Sequence, residues 1–281
     1  MSVRSYAELV KFSHTVFALP FALVAMLVAA GGLPPLRTAV WILAATVSAR
    51  TMAMAFNRIA DVRFDRENPR TAGRPSVTGE VPIANAWVLW GVSTAGFFLS
   101  AWMLNPLCLA LAPVVWAVLN GYSLTKRFTN WTHLFLGLAL GLAPLGAWAA
   151  VTGSLDWRPI PLGLAVLFWV AGFDVLYSLQ DEEVDRRQGL RSLAVALGAA
   201  RALWVSRLFH VLTVPILVLF GAATELGFPF YIGVGVVAVA LAVEQSLVSA
   251  EDRSRMNAAF FTANGFVSLS LLAATCVDLC L

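Results

Sequence analysis

The sequence predicts an all-α, polytopic membrane protein of nine transmembrane helices, and three observations predict it. Of its 281 residues, 59% are hydrophobic and only 12% charged, whereas about a quarter of the residues of soluble domains are charged. The apolar residues fall into nine continuous runs close to the roughly 20 residues a helix needs to cross hydrocarbon, without the alternation of a membrane barrel. When those runs are threaded alternately, all but three of the 19 basic residues fall on one side. The exceptions are Arg37 and Arg158 on the far side and Arg50 inside a span. Since positive loops stay cytoplasmic, the N-terminus is expected inside and the C-terminus outside.

Each run has its own justification. The first, 14–32, follows Arg4 and Lys11; it has no small-residue cleavage site and further spans follow, so it is read as a retained helix and not a signal peptide. His14 at its start reads as an interfacial histidine. The second, 38–57, holds Arg50 and leads into Asn57. The third and fourth are 83–104 and 106–123. The fifth, 132–152, carries Gly137, Gly141 and Gly146, small residues that let helices approach closely. The sixth, 160–180, carries Asp174, and the seventh is 203–223. The eighth, 228–248, carries Glu244 deep within it, for which an interhelical hydrogen bond is expected, and the ninth is 258–280. Trp87, Trp131, Trp157 and Trp204 near span ends read as interface anchors. With no Pro- or Ser-rich linker, residues 1–281 are expected to form one domain.

Composition also excludes several classes. The net charge of +3 reflects basic loops, and no groove-reading motif points to nucleic acid. Cys108, Cys276 and Cys280 are few, odd in number and set in apolar helices, which argues against a disulfide framework or a zinc site.

Two acidic clusters carry the chemistry. Asn57, Asp61 and Asp65 are spaced i, i+4, i+8, a drift of only about 80° around a helix. Asp174, Asp181 and Asp185 are spaced i, i+7, i+11, each return falling within roughly 20° of the start. Carboxylates in a membrane are costly unless they face a polar cavity and meet a cation. If the two helix ends face each other, Asp61, Asp65, Asp181 and Asp185 make a four-carboxylate bowl, whose hard oxygens suit Mg²⁺ shared with substrate phosphates. A bound diphosphate would then need basic partners. Arg63, Arg70 and Arg74, Lys126 and Arg127, and Arg186, Arg187 and Arg191 supply them. Tyr122 and Lys126 are expected on one helical face at i, i+4. Phe56, Tyr122, Phe173 and Tyr177 are the aromatics able to line such a cavity.

These strings carry a resemblance. Asn57 through Asp65, continuing to the Asn68–Pro75 run, resembles the first signature of the UbiA superfamily of intramembrane aromatic prenyltransferases. Asp174 through Asp185 resembles its second, and Tyr122 to Arg127 is similar to the tyrosine and lysine stretch between them. Arg58, where many relatives have aspartate, resembles the 4-hydroxybenzoate polyprenyltransferase branch. The resemblance implies nine helices around a central cavity, closed by cytoplasmic cap loops, in the cell inner membrane. It implies that Asp61, Asp65, Asp181 and Asp185 bind Mg²⁺ and, with Asn57, the diphosphate of a polyprenyl donor. Asp174 would contact the metal shell, orient Lys126 or position the acceptor.

The expected reaction is transfer of the polyprenyl group from a polyprenyl diphosphate to a 4-hydroxybenzoate-like aromatic acceptor in quinone biosynthesis, a pattern that could serve a ubiquinone or a menaquinone route. Metal and cations stabilise the departing diphosphate, and an electron-rich ring attacks the allylic cation. Arg63, Arg70, Arg74, Tyr122, Arg127 and Tyr177 are the further substrate-binding candidates, and Lys126 joins the catalytic set. Expected partners are these substrates and the lipid bilayer; the sequence sets no oligomeric state. The alternative acceptor is a naphthoate or aminodeoxyfutalosine-derived ring of a menaquinone route. A cation-coupled transporter is the rival from another class, but its acids belong near the midplane, whereas these cluster at one face.

Overall fold

The computed structural model of the chain describes residues 3–10, 15–249, 256 and 263–281. His14 lies outside the described residues, as do 258–262 at the start of the expected ninth span. All regular structure among the described residues is helical. In chain order it comprises α1 (Val3–Leu9), α2 (Thr15–Ala30), α3 (Leu36–Glu67), α4 (Pro75–Thr78), α5 (Ile83–Leu104) and α6 (Pro106–Gly121). A 3₁₀ turn (Tyr122–Arg127) precedes α7 (Thr132–Thr152), α8 (Ile160–Ser178), α9 (Glu182–Arg187) and α10 (Leu193–Leu197). Three long helices close the chain: α11 (Ala199–Ala223), α12 (Phe228–Ser246) and α13 (Asn264–Cys280).

Seven of these helices are long and apolar enough to cross a membrane: α3, α5, α6 with its 3₁₀ extension, α7, α8, α11 and α12. Against the nine spans expected, the two outermost are shorter apolar helices, Leu19–Ala30 and Asn264–Cys280, each close to residues outside the description. α8 is the central post. Of its most apolar 18-residue stretch 67% is buried, against 22% for α3 and α5, which fits a helix that is hydrophobic all round. α7 packs against it at the closest range backbones allow. A Cβ on Gly137 would meet the carbonyl oxygen of Leu167, and one on Gly141 that of Gly163. Gly146 does not share this role, since nothing lies within 4 Å of its Cβ position; it faces the cavity.

Helix ends follow local chemistry. Asn105 caps α6 by accepting from the Cys108 N–H at 2.9 Å, with Pro106 at the first helical position. Gly153, at φ 66°, takes the left-handed conformation that stops α7. The expected hydrogen bond of Glu244 is present: Asn264 Nδ2 donates to Glu244 Oε1 at 2.9 Å while Asn264 Oδ1 accepts from Trp169 Nε1 at 2.7 Å, tying α13 to α12 and α8.

Two expectations change, and one boundary moves. The helix of the second span runs past 57 to Glu67, so Asn57, Asp61 and Asp65 lie on one unbroken helix, as their spacing predicts. Hydropathy fades there but helix formers remain, and the buried carboxylates find partners. The second cluster is not one helical stripe. α8 stops at Ser178, tightened by i→i+3 bonds such as Asp181 N to Ser178 O at 3.0 Å, and Asp185 sits on separate α9. The Tyr122–Lys126 segment is a 3₁₀ turn, in which i and i+3 align, so Ser123, not Tyr122, shares the face of Lys126.

Candidate active site

One cavity of about 680 Å³ runs between the helices, lined by α3, the 3₁₀ turn, α7 and α8. One end is polar: Asn57, Asp61, Asp65, Asn68, Arg70, Arg74, Lys126, Asp174, Tyr177, Asp181 and Asp185 all line it. The rest of the wall is mostly alanine and leucine, including Ala45, Ala49, Ala112, Leu136, Ala139 and Ala143, and it extends to Leu155 and Asp156 between α7 and α8. The cavity therefore gathers most of its charge at one end and is otherwise lined mainly by apolar side chains, interrupted by Arg50 of α3 and by Asp156 beyond α7.

The four aspartates do not face one another bare. Lys126 Nζ lies 2.7 Å from Asp61 Oδ2, and Arg127 Nη2 lies 3.7 Å from Asp61 Oδ1. Asn57 Nδ2 donates to Asp61 Oδ2 at 3.2 Å. Arg74 Nη1 lies 2.6 Å from Asp65 Oδ2. Arg70 grips both oxygens of Asp181, its Nε donating to Oδ1 at 2.9 Å while its Nη2 pairs with Oδ2, and Asn68 Nδ2 donates to Oδ1 at 2.8 Å. Its remaining nitrogen, Nη1, donates to the Tyr177 hydroxyl at 3.0 Å. The segment after α3 thus crosses to the end of α8 and latches the two clusters together. Gln188 makes a second latch, its Nε2 donating to Phe64 O at 3.0 Å.

Asp185 forms no ion pair among the described residues. Burial, and then the charge of Asp181, pushes its pKa up to about 6 despite the pull of Lys126 and Arg70. The expected four-carboxylate bowl is therefore a set of aspartates mostly held apart by their own cations, and among the described residues no three acidic, histidine or cysteine side chains form a ready-made metal cage. The donor set still fits a divalent cation. Its oxygens are hard, all four carboxylates line one cavity, and Asp61 Oδ1 is buried without a hydrogen-bond partner.

Other predicted residues sit elsewhere. Arg63 is exposed and does not line the cavity, because it falls on the opposite face of α3 from Asp61 and Asp65. Arg127 reaches the site from its edge, donating from Nη2 to Ala60 O at 2.7 Å. Arg186 pairs with Glu182 at 3.1 Å on the exposed side of α9. Phe56 packs against Trp87 and Trp90, with ring centroids 6.4 Å away in both cases, and not into the cavity. Asp174 does not orient Lys126; its carboxylate meets His133 Nδ1 at 2.6 Å. His133, Asn68, Ser123 and Arg50 line the cavity without having been singled out. Asn68 lay within the quoted run, and His133 carried the one available signal, a polar residue at the membrane depth of the clusters.

The family model of the UbiA prenyltransferase family matches residues 18–268. The chain is 30% identical over 256 residues to the 4-hydroxybenzoate octaprenyltransferase of Shewanella woodyi, covering 91% of this chain and 89% of that one. It is 31% identical over 222 residues to the enzyme of the same name from Methylobacillus flagellatus, covering 79% and 75%. Among solved structures, the apo form of a UbiA homolog from Aeropyrum pernix superimposes with a TM-score of 0.86 at 35% identity, covering 94% of this chain and 98% of that one. A UbiA homolog from Archaeoglobus fulgidus bound to DMAPP and Mg²⁺ shares the fold, with a TM-score of 0.77 at 21% identity and 99% coverage of each chain. A cavity built from both acidic clusters, on a helical membrane fold matched almost end to end, leads to one conclusion: the chain belongs to the UbiA prenyltransferase family.

Proposed function

We propose that this prenyltransferase moves a polyprenyl group from an allylic diphosphate to a 4-hydroxybenzoate-like ring. The observation that carries the reading is the two-ended cavity, whose charged mouth suits a diphosphate and whose apolar length suits the isoprenoid tail. The names of the bacterial relatives support the choice of acceptor. So does Arg50, an arginine within α3 that lines the cavity and offers a counter-charge to a ring carboxylate.

In this reading Asp61, Asp65, Asp181 and Asp185 would hold Mg²⁺, with Asn57 and Asn68 beside them. The metal supplies electrophilic stabilisation of the departing diphosphate. With the aspartates holding the metal, Lys126, Arg70 and Arg74 would be released to bind phosphate oxygens, which arginine binds as readily as carboxylate. Tyr122, Phe173 and Tyr177 line the space where positive charge develops on the allylic carbon, and ring faces stabilise such charge. The apolar wall excludes the water that would trap it. The positive loops support a cytoplasmic location for this mouth.

The test is purified protein in detergent with geranyl or farnesyl diphosphate, Mg²⁺ and a panel of hydroxybenzoates, naphthoates and aminobenzoates. The expected result is a C-prenylated hydroxybenzoate, with turnover abolished by excess EDTA. Absence of any prenylated aromatic product, or full activity in EDTA, overturns the reading.

A further inference from the structure

Arg58 stands in the first cluster beside Asn57, lines the cavity and is only 4% exposed. A buried guanidinium needs acceptors for its protons, and two are present. Its Nε donates to the carbonyl oxygen of Leu9, the buried last residue of α1, at 3.2 Å, and its Nη1 donates to Asn57 Oδ1 at 2.9 Å. α1 is itself tied to α5, since Asn85 Nδ2 donates to the Tyr6 hydroxyl at 3.1 Å, so the guanidinium is fixed from outside the cluster. A guanidinium has donors and no acceptor. The amide atom it meets is therefore the oxygen, and the nitrogen faces the other way. Asn57 Nδ2 accordingly donates to Asp61 Oδ2 at 3.2 Å and to Ser123 Oγ at 3.4 Å. Lys126 reaches the same Oδ2 at 2.7 Å, which leaves Asp61 Oδ1 as the oxygen with no hydrogen-bond partner. A free amide beside a divalent cation would turn its oxygen to the metal. Here that rotation would set the amide NH₂ against the guanidinium, donor against donor, and strip a buried charge of an acceptor.

We propose that Arg58 is a positioning residue that holds the Asn57 amide as an N–H donor to Asp61, so that Asn57 serves the first cluster by orienting this carboxylate and not as an oxygen ligand of the metal. The proposal rests on the reading above that Asp61 holds Mg²⁺. Asp61 then offers Oδ1 to the cation, and Asn57 keeps Oδ2 in place after Lys126 has been released to phosphate. Arg58 acts on the reaction through Asn57 alone.

The test compares purified Asn57→Asp, Asn57→Ala, Arg58→Lys, Arg58→Met and the double variant Asn57→Ala with Arg58→Met. Three quantities are read: kcat at saturating Mg²⁺ and farnesyl diphosphate, Mg²⁺ affinity of the acceptor-free protein with farnesyl diphosphate bound, and melting temperature as the folding control. Asn57→Asp keeps an oxygen toward each neighbour and loses the N–H, so its kcat should fall about tenfold or more, as far as that of Asn57→Ala. Asn57→Ala should lose less than about tenfold in Mg²⁺ affinity, because no ligand is removed. Arg58→Met should lower kcat about tenfold, and Arg58→Lys, which keeps a donor, should recover most of it. Adding Arg58→Met to Asn57→Ala should change kcat by less than about twofold, since the two residues act as one. Wild-type kcat in Asn57→Asp, a tenfold or greater loss of Mg²⁺ affinity in Asn57→Ala, multiplied effects in the double variant, or Arg58→Lys no more active than Arg58→Met each overturns the proposal and leaves prenyl transfer standing. If Arg58→Met does not fold, the two Asn57 variants decide. A wild type that prenylates no aromatic acceptor overturns the functional reading, while the Mg²⁺ titrations still judge the proposal; turnover that persists in excess EDTA overturns both.

Discussion

Asp61 is the most heavily engaged acid of the site, touching Lys126, Arg127 and Asn57, and its substitution tests two properties at once. From sequence alone, Asp61→Asn removes an unpaired charge and leaves folding untouched. The structure changes that expectation, because Lys126, only 26% exposed at its side chain, loses the buried carboxylate it meets at the cavity wall. Asp61→Asn is expected to abolish turnover and to cost about 1–3 kcal/mol of stability. Adding Lys126→Met should restore much of the stability and none of the activity. Thermal unfolding in detergent beside the prenylation assay reads both, and a single variant as stable as wild type would show that Lys126 finds another partner. At this scale the acids were legible in the sequence, since their spacing alone marks a shared face. Their partners were not. Arg70 meets Asp181 across more than a hundred residues of chain, and nothing in local spacing distinguishes it from exposed Arg63.

The elements that position these residues depend on contacts smaller than a side chain. α7 carries His133 and α8 carries Asp174, and the two helices approach through Gly137 and Gly141. Gly141→Leu would drive side-chain atoms into the Gly163 carbonyl, at an expected cost of about 2–3 kcal/mol or more, with activity falling because the pair is pried apart. Gly146→Ala, with open space at its Cβ, should leave the unfolding midpoint within about 0.5 kcal/mol of wild type. Equal destabilisation by both would contradict this packing. Glycine spacing in the fifth span pointed to close approach and was right for Gly137 and Gly141; it failed at Gly146 because composition does not say which face meets a neighbour. The break after Ser178 and the 3₁₀ turn at Tyr122–Arg127 were equally hidden. Both come from tertiary demands at the cavity mouth, where i→i+3 bonds replace the α pattern; no proline or glycine marks the break at Ser178, and Gly121 before the 3₁₀ turn keeps a helical φ of −63°.

For the whole molecule, the alternation of helices leaves the α2–α3 connection at one membrane face and the α4–α5 connection at the other. Leu33 is 89% exposed in the first, and Glu80 is exposed in the second. In a cysteine-free background, Glu80→Cys should react with a membrane-impermeant thiol reagent only from the cytoplasmic side and Leu33→Cys only from the opposite side. The reverse pattern would refute the cytoplasmic placement of the mouth. Fold class was readable because hydropathy over seven long helices is a strong signal; the outer two are shorter apolar helices among the described residues, each beside residues outside the description.

The pairing of Asp61, Asp65 and Asp181 with Lys126, Arg74 and Arg70 has a consequence for the end of the catalytic cycle. A pocket of bare cations would cling to spent diphosphate and stall. In the proposed reading, each of the three basic side chains that would release phosphate has a carboxylate within reach, so the protein would compete with its own product for the same charges. Departure of the leaving group would then be helped by these pairs forming again, and the empty mouth returns to a state in which three of its four aspartates are met by cations.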